Sequence, residues 1–197
     1  MPFGMLVANC KSPIKKTLRY SERNHESRIK FLSKLREIIT NRGKNSIVYV
    51  DESGFEDHAY RSQAWSPKGQ KTYGERHGNN RRRTNLIAGH LGKQLVAPLL
   101  FTGSTTASLF NQWLQDCLFK ELPEGATIVM DNAAFHKTAE TTKLFENSPF
   151  DLLYLPPYSP DLNPIEQDFA ILKKKRKVMS QGTTLDQLVA SYGLFLE

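Results

Sequence analysis

Two short apolar runs, each followed directly by an aspartate, constrain the fold more than any other feature. Residues 47–50 precede Asp51, and residues 127–130 precede Asp131. Unbroken apolar runs of this length are typical of strands buried on both faces, which occur mainly in parallel sheets covered by helices. We therefore expect both aspartates to end neighbouring central strands, at the edge where α/β sheets bind their ligands.

Helical and strand patterns alternate along the rest of the chain. Periodicity and helix breakers predict helices over residues 21–43, 105–122, 137–146 and from Pro164 through residue 177. The buried stripe of the first helix is predicted to be Ile29, Leu32, Leu35 and Ile39. Further strands are predicted over residues 85–90, 94–101 and 152–155. The sequence thus predicts a mixed α/β domain over residues 46–197, behind a basic arm and linker helix over residues 1–45.

The net charge of +7 is concentrated at the amino-terminal end of the chain. Residues 1–45 carry eleven Lys or Arg and three Glu, whereas the remainder is close to neutral. Two further basic stretches occupy residues 68–83 and 173–177. Clustered basic residues attract polyanions, because neutralised phosphates release their condensed counterions. Nucleic acid is therefore a candidate partner, and an ordinary solvated surface is the alternative.

The composition argues against several other classes of protein. No apolar run reaches the roughly 18 residues of a membrane span, and the first ten residues lack a secretory signal pattern. Cys10 and Cys117 are too few for a disulfide framework or a zinc site. We expect a soluble protein of the cytoplasm that does not associate with a membrane.

Asp51 and Asp131 together suggest a cation site. Two neighbouring carboxylates repel, and one pKa rises unless cations are shared between them. Hard cations such as Mg²⁺ prefer oxygen ligands and keep positions for water and phosphate. Two ions roughly 3.5–4 Å apart can assist both the attacking and the leaving oxygen of a phosphodiester. A lone aspartate after a strand is more often a turn or cap residue, so the pair carries the argument.

Glu166 allows two interpretations. Asn163, Pro164 and Glu166 suit the N-cap, first and third positions of a helix, which is a capping-box arrangement. Glu166 would also share a helix face with Lys173 and Lys177, as a metal ligand beside a DNA track would. Helix capping and metal binding both remain open for this residue.

Three segments contain these acids: VDESGF at residues 50–55, MDNAAFH at residues 130–136 and YSPDLNPIE at residues 158–166. They resemble the acid-bearing motifs of mariner-superfamily transposases, in particular the bacterial insertion-sequence branch. The 34 residues between the second and third acids also match the spacing of that branch. The resemblance assigns Asp51, Asp131 and Glu166 as catalytic, metal-binding residues.

The resemblance implies a ribonuclease-H-like α/β fold, a mixed sheet flanked by helices, behind the basic N-terminal arm. It also implies two Mg²⁺ or Mn²⁺ ions, cleavage at transposon ends and transfer of the freed 3′-hydroxyl into target DNA. We expect a homodimer on DNA, associated with the nucleoid, and a separate helix-turn-helix subunit or reading frame. The expected DNA contacts are Lys15, Lys16, Arg19, Arg81, Arg82, Arg83, Lys173, Lys174 and Lys177.

Two departures from the family pattern leave alternatives open. Relatives carry a helix-turn-helix domain before the catalytic part, so the chain resembles a catalytic fragment. Asp168 stands where relatives usually have an apolar or aromatic residue, and we expect it to be exposed or a defect. The alternatives are an idle transposase remnant that binds DNA or a full-length partner, and a related nuclease that cleaves without joining.

The polar residues near the acids are less informative. His136 is equally compatible with a structural bond to the backbone and with a catalytic role. Glu52 is expected to be solvated or a local hydrogen-bond partner, and the spacing of His90 does not suggest a metal ligand.

Overall fold

A five-stranded mixed sheet forms the centre of the fold. The computed structural model describes residues 21–56, 66–71, 73, 83–179 and 183–192. The strands are β1 Ile47–Glu56, β2 Arg83–Leu91, β3 Gln94–Thr102, β4 Thr127–Met130 and β5 Asp151–Tyr154. They lie in the order β3-β2-β1-β4-β5. The first three strands form an antiparallel meander, while β4 and β5 extend the sheet in parallel with β1. The predicted mixed sheet is confirmed.

Helices cover both faces of this sheet. They are α1 His25–Arg42, α2 Ala107–Trp113, α3 Phe119–Glu121, α4 Ala139–Glu146, α5 Ile165–Val178 and α6 Leu185–Ala190. A π-helical turn, Leu114–Leu118, joins α2 to α3, and a 3-10 turn, Pro160–Leu162, precedes α5. The predicted helices are confirmed to within a few residues at each end. None of the described helices is long and apolar enough to cross a membrane.

The two faces of the central strands are buried beneath different helices. Val48 of β1 and Ile128 of β4 face a cluster around Trp113 of α2. Val129, the residue after Ile128 in β4, packs on the opposite face of the sheet in a cluster with Phe31 of α1. Successive strand residues point to opposite faces, so burial on both sides requires unbroken apolar runs. This packing explains why the sequence shows no alternation in β1 and β4.

The register of β1 and β4 brings the two aspartates to one edge of the sheet. The strands are parallel, and their last aligned pair is Tyr49 with Val129. Asp51 and Asp131 each lie two residues further along. The prediction that Asp51 ends its strand is wrong, because pairing with β2 continues β1 as far as Glu56. Because β4 ends before β1 does, the Asp51 carboxylate lies at a point where there is open space beside β1.

Helix α1 packs with a face different from the predicted one. Phe31 is 4% exposed, and Leu35 and Ile39 pack beside it on the sheet. Ile29 and Leu32 are 55% and 37% exposed, so these two members of the predicted stripe are wrong. Phe31 packs with Ile47 of β1 and Val129 of β4, and the face that carries Ile29 and Leu32 lies toward solvent.

Asp168 lies in a buried cluster of three polar side chains. The residue is in α5 and is 6% exposed. Its Oδ2 atom lies 2.5 Å from Nδ1 of His90 in β2. Its Oδ1 atom accepts a hydrogen bond from the hydroxyl of Tyr192, just after α6. The expectation that Asp168 is exposed or a defect is wrong, because both carboxylate oxygens have partners in the core.

This cluster predicts an order of destabilisation. Asp168→Ala leaves the buried polar atoms of His90 and Tyr192 without their shared partner, and should lower the free energy of unfolding by about 3–5 kcal/mol. Tyr192→Phe removes one hydroxyl and should cost about 1–2 kcal/mol. Urea denaturation measures both. Asp116→Ala, at an exposed acid, should change stability by less than about 0.5 kcal/mol. An Asp168→Ala variant as stable as that control would contradict a structural role for the cluster.

Candidate active site

A cavity of about 410 Å³ opens at the edge where β4 ends. Its lining comes from β1, from the segment after β4, from the segment that joins β5 to α5 and from the first turn of α5. The polar lining residues include Asp51, Asp131, Asn132, Asn163 and Glu166. The fold thus brings the three predicted acids to one cavity from three distant parts of the chain.

Asp51 is the most enclosed of the three acids. Its Oδ1 atom accepts a hydrogen bond from the Glu52 backbone N–H at 2.8 Å, and its Oδ2 atom accepts one from Nδ2 of Asn163 at 3.2 Å. Burial, together with the charges of Asp131, Glu166 and Glu52, raises the pKa of Asp51 to about 7 against the opposing effect of the Glu52 N–H bond. Asp51 is therefore partly protonated near neutral pH when no cation is bound.

Asp131 is held by an imidazole side chain. Its Oδ1 atom accepts from the Ala133 backbone N–H and contacts Nδ1 of His136, both at 2.8 Å. The hydrogen bond to His136 lowers the pKa of Asp131. The Asp131 side chain is 53% exposed, so its carboxylate is open to the cavity. Asp131 is thus fixed in its ionised form.

His136 bridges two carboxylates instead of bonding the backbone. Its side chain is 2% exposed, and its Nε2 atom lies 3.3 Å from Oε1 of Glu52. Burial alone would lower the pKa of His136, but the hydrogen bonds and charges of Asp131 and Glu52 outweigh it and raise the pKa to about 9. The imidazolium form therefore donates to both carboxylates at neutral pH. Glu52 is a site residue that spacing alone did not reveal.

Glu166 is not part of a capping box in this structure. Pro164 occupies the N-cap position of α5 and makes no side-chain cap hydrogen bond. The side chain of Asn163, which was the predicted N-cap, donates to Asp51 instead. Burial raises the pKa of Glu166, the charge of Asp161 raises it further, and Lys173 opposes the shift. The interpretation of Asn163 and Glu166 as a capping box is therefore wrong, and Glu166 lines the cavity instead.

The three acids share the cavity without closing on one ion position. Among the residues that the structure describes, no three His, Cys, Asp or Glu side chains form a group that could hold a metal ion. Like charges repel, and each aspartate is held by its own N–H donors, which are Glu52 and Asn163 for Asp51 and Ala133 and His136 for Asp131. Asp51, Asp131 and Glu166 therefore line one cavity, but their carboxylates do not converge on a shared ion position.

Four of the nine predicted DNA-contacting residues lie in the described part of the chain, on α5 and at the start of β2. Lys173, Lys174 and Lys177 are exposed on α5, and Nζ of Lys173 lies 5.7 Å from the centre of the Phe55 ring. Arg83 begins β2, and its guanidinium covers Gly54, where a Cβ atom would come within 1.8 Å of it. The remaining predicted contacts, Lys15, Lys16, Arg19, Arg81 and Arg82, lie outside the described residues.

The sequence profile of DDE superfamily endonucleases matches residues 46–189. That range contains all five described strands and the three acids of the cavity. The chain belongs to the DDE superfamily of endonucleases. No curated protein sequence is significantly similar to this endonuclease.

Solved structures share the fold of this endonuclease. The Mos1 transposase paired-end complex with left transposon end matches with a TM-score of 0.68 and 19% identity, over 95% of this chain and 69% of that chain. The Mos1 mariner paired end complex with Mn gives a TM-score of 0.68 and 20% identity, over 94% and 69%. The catalytic domain of Mos1 mariner transposase gives 0.58 and 16%, over 90% and 98%. The ribonuclease-H-like fold predicted for the endonuclease is confirmed.

The sequence leaves the roles of Glu52 and His136 open and does not predict the bond of Asn163 to Asp51 in the endonuclease site. Glu52, His136 and Asn163 hold the two aspartates, yet none has a spacing that indicates such a role. A usable signal existed, because all three lie within the same short segments as the acids. Polar residues next to a candidate acid were therefore better candidates than isolated residues elsewhere.

The bridge made by His136 predicts a pH dependence of stability for the metal-free endonuclease. The pKa of His136 is raised to about 9 in the folded state, above its ordinary value. Its stabilising contribution is therefore fully present below about pH 6.5 and is lost as pH rises through about 9. The stability difference between the native protein and His136→Gln should fall by on the order of 1–3 kcal/mol over this range.

Urea denaturation at pH 6, 7.5 and 9 measures this difference. His25→Gln removes an exposed histidine at the start of α1 and is the matched control, whose difference from the native protein should stay constant. A constant difference for His136→Gln as well would show that the bridge contributes nothing that depends on protonation.

Proposed function

We propose that this endonuclease is the catalytic part of a DNA transposase, which cleaves DNA at transposon ends and transfers the freed 3′-hydroxyl into target DNA. The proposal rests on the meeting of Asp51, Asp131 and Glu166 at one cavity in a chain of this superfamily. Two similar structures support it, a Mos1 complex with a transposon end and a Mos1 complex with Mn. We assign the chain to the bacterial insertion-sequence branch of the mariner superfamily from its three acid-bearing segments.

We propose that Asp51, Asp131 and Glu166 bind two Mg²⁺ or Mn²⁺ ions. Carboxylate oxygens are the ligands that these hard cations prefer. Asn163 adds a buried Oδ1 atom that has no hydrogen-bond partner among the described residues. The raised pKa of Asp51 also fits, since a cation would offset the burial of the Asp51 charge and the repulsion from its neighbours. When bound, the ions would activate the attacking oxygen and stabilise the leaving oxygen of a phosphodiester.

The surrounding side chains orient these acids. His136 holds one oxygen of Asp131 and keeps the carboxylate ionised, so Asp131 can act as a ligand at neutral pH. Asn163, in the segment that joins β5 to α5, donates a hydrogen bond to Oδ2 of Asp51 and so fixes this oxygen. Because hydrogen bonds of this kind set the direction of a ligand, their loss should weaken cation binding without removing a ligand.

We propose that the basic residues named above contact DNA phosphates, and that residues 1–45 are an arm leading to a catalytic domain of residues 46–197. The start of the family match at residue 46 supports this division. Phosphate contacts position a protein on DNA, whereas base contacts specify sequence. A homodimer on DNA and a separate helix-turn-helix subunit would supply the recognition of transposon ends, at the nucleoid of the cytoplasm.

The acids are tested by nicking of supercoiled plasmid DNA in Mn²⁺ or Mg²⁺. Asp131→Asn and Glu166→Gln should abolish nicking while both variants still fold, because amides are poor ligands for hard cations. The melting temperature of Glu166→Gln should stay close to native, whereas that of Asp131→Asn should fall because His136 loses a charged partner. Chelation of the cation should also abolish nicking. The electron paramagnetic resonance signal of free Mn²⁺ provides a second measurement, and both variants should leave more Mn²⁺ unbound.

Asp116→Asn and Glu146→Gln are the matched controls, since both change exposed helical acids outside the cavity. They should nick DNA and bind Mn²⁺ like the native protein. A fully active Asp131→Asn or Glu166→Gln variant would remove that residue from the proposed site. Nicking without joining of a cleaved end to target DNA would favour a nuclease over a transposase.

DNA binding should be weak and nearly independent of sequence. Dissociation constants of roughly 10⁻⁴–10⁻⁶ M are expected at physiological salt, with a steep loss of affinity as salt rises. Replacing Lys173, Lys174 and Lys177 with Ala should weaken binding to every duplex alike and reduce the salt slope by up to about three. Titration of two unrelated duplexes at two salt concentrations measures this.

A triple variant of Lys93, Lys120 and Lys143 to Ala removes the same charge from exposed residues outside α5 and is the matched control. It should change the salt slope much less than the α5 variant. Equal effects of the two triple variants would show that α5 is no special DNA surface. Tight, salt-insensitive preference for one duplex would show that the chain recognises base sequence by itself.

A further inference from the structure

Arg28 of helix α1 forms an ion pair with the 3-10 turn that precedes Glu166, the third acid. Its Nη1 and Nη2 atoms donate to Oδ1 and Oδ2 of Asp161 at 3.1 and 2.7 Å. The Arg28 side chain is only 13% exposed, and Nη2 of Arg23 adds a longer contact of 3.4 Å. A guanidinium that meets both oxygens of a carboxylate fixes its orientation as well as its position. Asp161 is therefore held in one geometry by α1.

The same turn is also held by an apolar contact with the core. Leu162, the next residue of the 3-10 turn Pro160–Leu162, packs against the cluster that contains Phe31 of α1, Val129 of β4 and Leu155 after β5. The turn therefore has a polar attachment to α1 and an apolar attachment to the core cluster that contains Phe31 of that helix. Two attachments at adjacent residues leave the turn little freedom to rotate as a unit.

The turn continues directly into the cavity. Asn163 follows it and donates to Oδ2 of Asp51 at 3.2 Å. The backbone N–H of Glu166 then donates to the Asn163 carbonyl at 3.2 Å, so the first turn of α5 starts from the same point. Asn163 lies two positions and Glu166 five positions after Asp161, so a displacement of Asp161 would be passed on to both.

We propose that Arg28 is a positioning residue of the active site, which acts through Asp161 to set the turn from which Asn163 and Glu166 reach the cavity. This inference rests on the proposed function of that cavity. It makes α1, which precedes the region matched by the family profile, a working part of the catalytic unit. Geometry of this kind matters because small misplacements of catalytic groups cause large losses of rate.

The same helix offers a matched control at its other end. Nη1 of Arg42 contacts Oδ2 of Asp151 and donates to the Gly125 carbonyl at 2.9 Å. That ion pair attaches α1 to the start of β5, whereas the cavity lies beyond the end of β5. Arg42 therefore joins α1 to the sheet, whereas Arg28 joins the same helix to the turn before α5.

The test compares Arg28→Gln with Arg42→Gln in the full chain, with supercoiled plasmid DNA and Mn²⁺. At saturating DNA the nicking rate of Arg28→Gln should fall roughly 10- to 100-fold, with little change in the apparent KM. Arg42→Gln should retain a near-native rate, although it removes the same charge. Hydrogen exchange of the amides at residues 162–167 should accelerate in Arg28→Gln alone. Arg28→Lys keeps the charge without the planar fork and should show an intermediate rate.

A nicking rate of Arg28→Gln no lower than that of Arg42→Gln would overturn the inference. If Arg28→Gln does not fold, Arg28→Lys decides by the same comparison with Arg42→Gln. If the native chain does not nick DNA at all, the proposed function fails, and hydrogen exchange alone decides the inference. Faster exchange at residues 162–167 in Arg28→Gln alone would then support positioning by Arg28, and equal exchange in both variants would overturn it.

Discussion

The parallel pairing of β1 with β4 is the constraint on which the rest of the site depends. It aligns Tyr49 with Val129, and so delivers Asp51 and Asp131 to the same edge of the sheet. The next strand repeats the arrangement, because β5 is parallel to β4 and leaves the sheet at that edge. The segment that joins β5 to α5 therefore passes next to Asp51 and Asp131. A shift of one residue in this register would turn one aspartate into the core, since side chains alternate between faces.

The collected acids create an electrostatic problem that the two aspartates meet in opposite ways. Asp131 has an imidazolium partner, which lowers its pKa through a hydrogen bond to His136. Asp51 is more enclosed, and its partners are neutral N–H donors, so burial raises its pKa to about 7. Asp131 is thus ionised in advance, while Asp51 would become fully ionised if positive charge entered the cavity. Metal binding at such a site is expected to release protons.

The sequence predicted the central strands well because burial on both faces leaves an unbroken apolar run, as at Ile128 and Val129. Local patterns could not predict that Asp51 lies within its strand, since the length of β1 depends on its pairing with the distant β2. The capping role expected for Asn163 failed for a related reason: a tertiary partner, Asp51, competes for the same side chain. The apolar runs before Asp51 and Asp131 indicated these two acids, the resemblance added Glu166 and the catalytic role of all three, and the residues that hold them became apparent only from contacts between segments.

The buried cluster of Asp168 with His90 and Tyr192 has a consequence for how the chain can vary over evolution. An acid in the core is tolerated because a β2 residue and a residue after α6 each occupy one of its oxygens. No single substitution among the three leaves a satisfied core, whereas three apolar residues of matching volume would. These positions should therefore change together among relatives, as a set of coupled substitutions separated by less stable intermediates.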